Sequence, residues 1–390
     1  NSAQLAVTPG TSDPLQPEVV IRGIGPDVNV TQFLTGGELG GVLDFSREML
    51  APTRSELGRI AVGLVSTVNA VHRNGMDAEG QLGTDFFSIG APQTFAAAGN
   101  TGTGALAVTV TGVAALEPTN YRLSFDGTSY TLQRADNGAV VPMTGAGTAL
   151  SPFVADGISL VISGAPAAGD QFFVKPLEHV AGTLELMVTR PSDVAAAAPT
   201  RTSAALANTG SAAVSAGQIV DVTHPSLLAT STIAFVNATT YTINGGGAFA
   251  YTPGADIDIN GTRIQISGTP AAGDQFVIAS NVGGTGDNRN MQELIDRFHR
   301  SVFDGEISLQ DATAGLITTV GSRTAEVTNQ RDMQELLLGQ NRDRLESVRG
   351  VNLDEEAADM LKFEQLYQAA ARMMSVADSL FQTLLNTLMR

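Results

Sequence analysis

The sequence predicts an α+β multidomain protein: an α-helical coiled-coil or bundle rod with all-β modules inserted in it. Three observations predict this. The chain ends in a long apolar heptad, and a second heptad lies near its start. The middle is rich in Gly, Ala and Thr and reads as short strands between turn residues. One strand–turn–strand unit occurs twice within that middle.

The terminal heptad runs Met360, Phe363, Tyr367, Ala370, Met374, Ala377, Phe381, Leu384, Leu388, in alternating steps of three and four. That spacing puts all of them on one seam of a helix and calls for a partner helix. Leu366, Met373 and Leu380 widen the stripe, while Lys362, Gln365, Gln368, Arg372, Ser375, Ser379, Gln382 and Asn386 form a polar face. Burying a large apolar side chain is worth roughly 1.5–3 kcal/mol, so the seam is expected to be an assembly interface.

Upstream, Leu57, Ala61, Leu64, Val68 and Val71 make the second heptad. Gly75 is expected to stop that helix as a C′ residue, and Pro52 to start or kink it. Asp287 and Asn288 are expected to cap a helix holding Met291, Leu294, Ile295 and Phe298. A long polar helix follows Ser308, carrying Ile317, Val320, Thr324 and Val327 on one side and continuing through Leu337, Leu338, Leu345 and Val348. Gly350 is expected to break it. Asn352 is expected to cap the last helix, with Glu355 as capping-box partner and Asp354, Glu355 and Glu356 on its positive dipole end.

In the middle, Tyr121–Leu132 reads as a hairpin around Asp126-Gly127. Residues 157–176 and 261–280 are identical at eleven of twenty positions at an offset of 104. Each copy is a strand, a Ser-Gly-x-Pro-Ala-Ala-Gly-Asp turn and a second strand. The repeat implies two related β modules, with Ala195–Pro199 as the joint between them.

Composition narrows function. The chain has 39 acidic against 22 basic residues and a net charge of −17, which disfavours nucleic acid and anionic membrane surfaces as partners. It has no cysteine, which removes disulfides and thiolate metal sites. No apolar run approaches the ~20 residues of a membrane span. The opening residues show no basic or apolar leader pattern and are read as an internal cut in a longer polypeptide.

Little in the sequence points to catalysis. Asp256, Asp258 and Asn260 imitate the first half of a calcium loop, but position twelve is Ser267, where a bidentate Glu is needed. Ile257 and Ile259 alternate with the acids, so the segment reads as a hairpin turning at Asn260-Gly261. None of His72, His179, His224 and His299 has a second histidine three or four residues on, so no zinc helix is written. Gly102–Gly104 and Gly283–Gly286 complete no phosphate fingerprint. No catalytic, cofactor-binding or metal residue, no cofactor and no enzyme activity is expected.

At this point specific residues resemble the hook-associated protein 1 family of the bacterial flagellum, the first junction protein between hook and filament. The resemblance rests on Thr35-Gly-Gly-Glu-Leu-Gly-Gly-Val-Leu-Asp-Phe-Ser-Arg47 and on Asn69-Ala-Val-His72-Arg-Asn-Gly75-Met-Asp77. It also rests on Gly80-Gln-Leu-Gly-Thr-Asp-Phe86-Phe87, Gly169–Pro176, Gly286–Met291 and Phe363–Arg372. The family's N-terminal helix is missing, and the second β module departs from its pattern as an apparent duplication. The resemblance implies a division into residues 1–29 as a linker, 30–95 as a helical D1-like segment and 96–190 and 191–283 as β modules. Residues 284–350 return to D1, and 351–390 form a terminal D0-like helix.

The same resemblance implies a structural, self-assembling adaptor, exported by the type III apparatus without a cleaved signal peptide. Its partners are expected to be copies of itself in a ring, the hook protein, the second hook-associated or filament proteins, and an export chaperone at the C-terminal helix. Two alternatives stay open: a flagellin-like filament subunit, and an extracellular β-rich adhesin with a coiled-coil stalk.

Overall fold

The computed structural model describes residues 3–11, 13–23, 25–349 and 353–388. They fall into two units, one up to Val320 and one from Gly321.

The first unit begins with an antiparallel sheet of β1 (Gln4–Thr8), β2 (Glu18–Arg22) and β3 (Val28–Asn29), in that order. Leu5 pairs with Ile21 and Val7 with Val19, so their side chains share a face that alternation separates from Val20. Leu5, Val7, Ile21 and Val28 are exposed and Val20 is buried. The sequence reading assigned only a linker here. The strands are short, and no Asn-Gly or Asp-Gly turn joins them.

A helix follows in three parts: α1 (Gly37–Asp44), a π-helical turn over Phe45–Leu50, and α2 (Ala51–Arg73). Pro52 explains the widened turn. It has no N–H to donate and its ring crowds the carbonyl four residues back, so the helix loosens just before it. Gly75 follows the Asn74 cap, as expected for C′, but it is absent from the glycines with positive φ. Its reason is space: a Cβ there would meet Asn290 Nδ2 at 2.2 Å and Ala195 O at 2.3 Å.

The β insert opens with β4 (Phe87–Ser88), β5 (Gln93–Ala96), β6 (Ala105–Val110), β7 (Tyr121–Phe125), β8 (Tyr130–Arg134) and β9 (Val140–Val141). It continues with β10 (Phe153–Ala155), β11 (Ile158–Ser163), β12 (Gln171–Lys175) and β13 (Glu185–Leu186). A five-stranded sheet β5-β12-β7-β8-β9 faces a three-stranded sheet β10-β11-β6. Leu106, Val108, Leu123, Leu132, Ile158, Leu160, Phe172 and Val174 fill the space between them. Val62 of α2, Leu177 and Val180 belong to the same core, so this sandwich is packed onto the helix. Gly58 permits it, since a Cβ there would lie 2.0 Å from Leu177 O. Strands β4 and β13 pair as a separate ribbon.

The second half comprises β14 (Thr200–Ala204), β15 (Ala213–Val214), β16 (Gln218–Ile219), β17 (Ser231–Asn237) and β18 (Thr240–Ile243). It ends with β19 (Ala248–Ala250), β20 (Asp256–Ile259), β21 (Thr262–Ser267) and β22 (Gln275–Ser280). Its large sheet runs β14-β22-β17-β18-β19, and β15, β16 and β20 pair with β21. The strand order is that of the first sandwich, around a core of its own built on Ile233, Phe235, Ile264, Ile266, Phe276 and Ile278.

The repeated turn does the same work in both. Asp170 accepts from the backbone N–H of Thr101, Gly102 and Ala167, and Asp274 from Thr209, Gly210 and Ala271. Asn100 and Asn208 bridge in the same way to Gln171 and Gln275. The repeat therefore extends to an Asn-Thr-Gly loop, residues 100–102 and 208–210, outside the two twenty-residue segments.

Past the insert come α3 (Arg289–Phe298), the hairpin of β23 (Ser301–Phe303) and β24 (Ile307–Ser308), and α4 (Leu309–Arg349). Asn288 makes no side-chain capping bond. Asp287 instead accepts from Arg289 N–H at 3.0 Å. Ser308 and Asp311 form a reciprocal cap on α4: Ser308 Oγ accepts from Asp311 N–H, and Asp311 Oδ2 accepts from Ser308 N–H. Phe303 is fully buried against α2, under the Arg59 guanidinium at 4.6 Å. From Gly321, the second unit consists of the rest of α4 and of α5 (Leu353–Leu388). The expected break at Gly350 and cap at Asn352 lie outside the described residues.

Candidate assembly surface

Helix α5 holds 36 residues with no Gly or Pro, about 54 Å of helix at 1.5 Å per residue. Asp354, Glu355 and Glu356 occupy its first turn, where carboxylates favour the dipole. On its polar side, Ser379, Thr383 and Thr387 hydroxyls donate to carbonyls four residues back.

All nine expected seam residues lie on α5, and all are exposed. Met360, Phe363, Tyr367, Met374, Phe381, Leu384 and Leu388 each keep 58–79 % of their accessible surface, and Ala370 and Ala377 lie in the same stripe. Leu366, Met373, Leu380 and Leu385, also exposed, broaden it beyond a two-residue seam. Contiguous apolar exposure along a whole helix is uncommon on the surface of a monomer.

A second constellation lies where the chain leaves and re-enters the helical part. On α2 the buried residues fill two adjoining rows: Ala61, Val68 and Val71 of the heptad are buried, as are Val62, Val65, Asn69 and His72 one position later, while Leu57 of that heptad is exposed. Asn69 Oδ1 accepts from the N–H of Phe86 and Phe87, and its Nδ2 donates to Phe87 O. His72 Nδ1 lies 2.7 Å from Thr84 O, and its Nε2 accepts from Ala195 N–H at 2.9 Å. These contacts assign the tautomer: Nδ1 carries the proton. Asn290 Nδ2 donates to Ala195 O at 2.7 Å and to Val71 O at 3.0 Å. The joint at Ala195–Pro199 is thus clamped rather than loose, and Met76 pairs with Ala197 through both backbone bonds. Hydrophobic patterning missed these residues because they are polar. The available signal is Asn69-x-x-His72 beside the apolar heptad of α2.

The remaining motifs have positive structural assignments. Asp258 forms a two-pronged pair with Arg263 across the β20–β21 hairpin, and Asp256 contacts Arg263 and Gln265. Asn260 and Gly261 hold the turn with φ of 50° and 80°. His224 Nδ1 accepts from Ser226 N–H and His299 is exposed. Among the described residues no three His, Asp or Glu side chains converge as metal ligands, and no helix is long and apolar enough to cross a membrane.

Comparison with known proteins adds the following. Residues 1–87 match the family model of the flagellar hook-associated protein FlgK helical domain, and residues 95–176 that of a flagellar hook-associated protein 1 D2-like domain. Residues 347–387, which include the exposed seam up to Leu384, match the model of the flagellar basal body rod FlgEFG protein C-terminal region. Flagellar hook-associated protein 1 of Escherichia coli K12 is 26 % identical over 98 % of this chain and 55 % of its own length. That of Salmonella typhimurium LT2 is 27 % identical over 98 % and 56 %. The chain therefore spans about half the length of the curated relatives it matches. The solved flagellar hook junction protein FlgK of Burkholderia pseudomallei is similar at 29 % identity and a TM-score of 0.78, over 90 % of this chain and 71 % of that one.

Proposed function

From a chain that belongs to the flagellar hook-associated protein 1 family, we infer a non-enzymatic structural subunit that joins hook to filament in the bacterial flagellum. The observation that carries this reading is the exposed heptad of α5, in the segment similar to the C-terminal region of rod proteins. A surface of that kind is built to be covered by other helices.

In this reading residues 30–95 and 284–350 form a D1-like rod segment and residues 351–390 a D0-like terminal helix. The β modules 96–190 and 191–283 are carried by the rod, and residues 1–29 lead into it. The subunits form a ring through the α5 seam, with the hook protein on one side and the second hook-associated or filament proteins on the other. Export leaves the protein outside the cell without a cleaved signal peptide, with a chaperone on the C-terminal helix before assembly. The net charge of −17 supports a role away from nucleic acid and anionic membranes.

The test is complementation of a strain lacking the corresponding gene with a tagged, full-length protein, followed by immunogold labelling. Label confined to the distal end of the hook, with filament growth restored, supports the reading. Label spread along the filament would replace it with the flagellin-like one.

A further inference from the structure

We propose that the buried Lys175 ammonium is an ionic latch that fastens the N-terminal sheet to the first β sandwich, and that the second sandwich has no such latch. Strand β12 turns Phe172 and Val174 into the sandwich core, so Lys175 points from the opposite face. Its side chain is nonetheless only 1 % exposed. Nζ lies 2.6 Å from Asp13 Oδ2, which comes from the loop between β1 and β2, and 2.9 Å from Glu178 Oε2. Both carboxylates are buried as well. Asn120 Nδ2 donates to Glu178 Oε2 at 3.2 Å, and the Phe173 ring lies 5.9 Å from Nζ. Asp13 Oδ2 takes no directed hydrogen bond, so its contact with Lys175 is an ion pair held by proximity.

The loop that delivers Asp13 is shaped for the purpose. Leu15 N–H donates to Asp13 Oδ1 at 3.0 Å and Gln16 N–H to Asp13 O at 3.0 Å. A Cβ on Gly10 would meet Asp13 O at 2.4 Å. Beside the ion pair, Ala98 N–H donates to Thr11 O at 2.9 Å, tying the same loop to the sandwich. In the second copy of the repeat, Lys175 corresponds to Ala279 and Glu178 to Val282. The Asp170 and Asp274 turns, by contrast, are kept in both copies. The latch is therefore not part of what folds a sandwich. It is a feature of the copy that meets the N-terminal sheet.

A buried ion pair suits a latch. Breaking one partner leaves a buried charge unpaired, so the contact specifies a single docking geometry rather than adding indiscriminate apolar attraction. Lys175 keeps Glu178 if Asp13 is lost, so the sandwich should survive while the loop detaches.

The test is Asp13→Asn in the full chain, read by residue-resolved hydrogen exchange. The expected result is at least tenfold faster exchange at Ala98 N–H and Leu15 N–H, with unchanged exchange in β7, β11 and the second sandwich. Lys175→Met, which strands two carboxylates together, should loosen the loop and β12 as well. Parent-like exchange at Ala98 and Leu15 in Asp13→Asn would overturn the proposal. So would uniform loss of protection in both sandwiches, because the cluster would then be part of a common core.

Discussion

Replacing Asn290 by Ala should open the joint at Ala195 without unfolding either sandwich. Asn290 is 7 % exposed and donates to Ala195 O at 2.7 Å and to Val71 O at 3.0 Å. In the variant Val71 O keeps the Asn74 N–H, so that loss is an ordinary hydrogen bond, about 0.5–1.5 kcal/mol. Ala195 O loses its donor in a fully buried setting, which costs about 1–3 kcal/mol. Together the local destabilisation is about 1.5–4.5 kcal/mol, roughly 10- to 2,000-fold in the opening equilibrium. The assay is native-state hydrogen exchange at Ala195, whose N–H is held by His72 Nε2. Because His72 and Asn290 grip the two sides of one residue, His72→Leu and Asn290→Ala should be non-additive, with a coupling of about 0.5–3 kcal/mol. Parent-like exchange at Ala195 in a folded Asn290→Ala protein would show that the clamp does not hold the joint, and additive effects would show that the two side chains act separately.

Three further outcomes are expected. Gly63→Val puts a Cβ 2.5 Å from Phe303 Cζ and 3.1 Å from Leu309 Cδ2; overpacking of this kind should destabilise by about 1–3 kcal/mol, seen as a lower urea midpoint for the helical part. Asp170 and Asp274 are held below the usual carboxylate range, first by the Ala167 and Ala271 N–H respectively and then by those of the Asn-Thr-Gly loops. A depressed folded-state value gives stability that is present above about pH 4 and lost as pH falls through the folded value, so melting temperature should drop below pH 4, and less steeply in Asp170→Asn/Asp274→Asn. Finally, Asp256 and Asp258 are already engaged by Arg263, so millimolar calcium should leave the melting curve unchanged, and an upward shift would reinstate a calcium loop.

What could be read in the sequence follows from which physical signals are local. The α5 heptad and the Asp-Gly and Asn-Gly hairpins are written in spacing and turn chemistry, and the structure places them at the positions read. The shared strand order of the two sandwiches was legible because their core strands and Asp turns repeat. On α2 the local signal is incomplete. Hydrophobicity selects Leu57, Ala61, Leu64, Val68 and Val71, of which Ala61, Val68 and Val71 are buried, but it does not select Gly58, used for backbone contact, or Asn69 and His72, used for long-range hydrogen bonds. The partners of those residues lie up to 123 positions away, so no window along the chain shows that the polar groups will be satisfied. The N-terminal sheet and the Lys175 cluster escaped for a related reason: burial of Lys175 depends on a loop more than 150 residues earlier. Seam residues on α5 were legible as a pattern, and their exposure is consistent with a surface completed by other helices.

The central claim is that the α5 seam is an assembly surface, and Phe381→Asp tests it most directly. Phe381 is 65 % exposed in the lone chain. Burying it in an assembled ring is worth about 1.5–3 kcal/mol, and an aspartate in its place adds several kcal/mol of desolvation. The measurement is incorporation of the full-length protein into hook–filament junctions in cells, with exported protein quantified in parallel and Gln368→Asp on the polar face as the control. Normal export with junctions lost for Phe381→Asp and kept for Gln368→Asp is the predicted result; junctions formed normally by Phe381→Asp would contradict it.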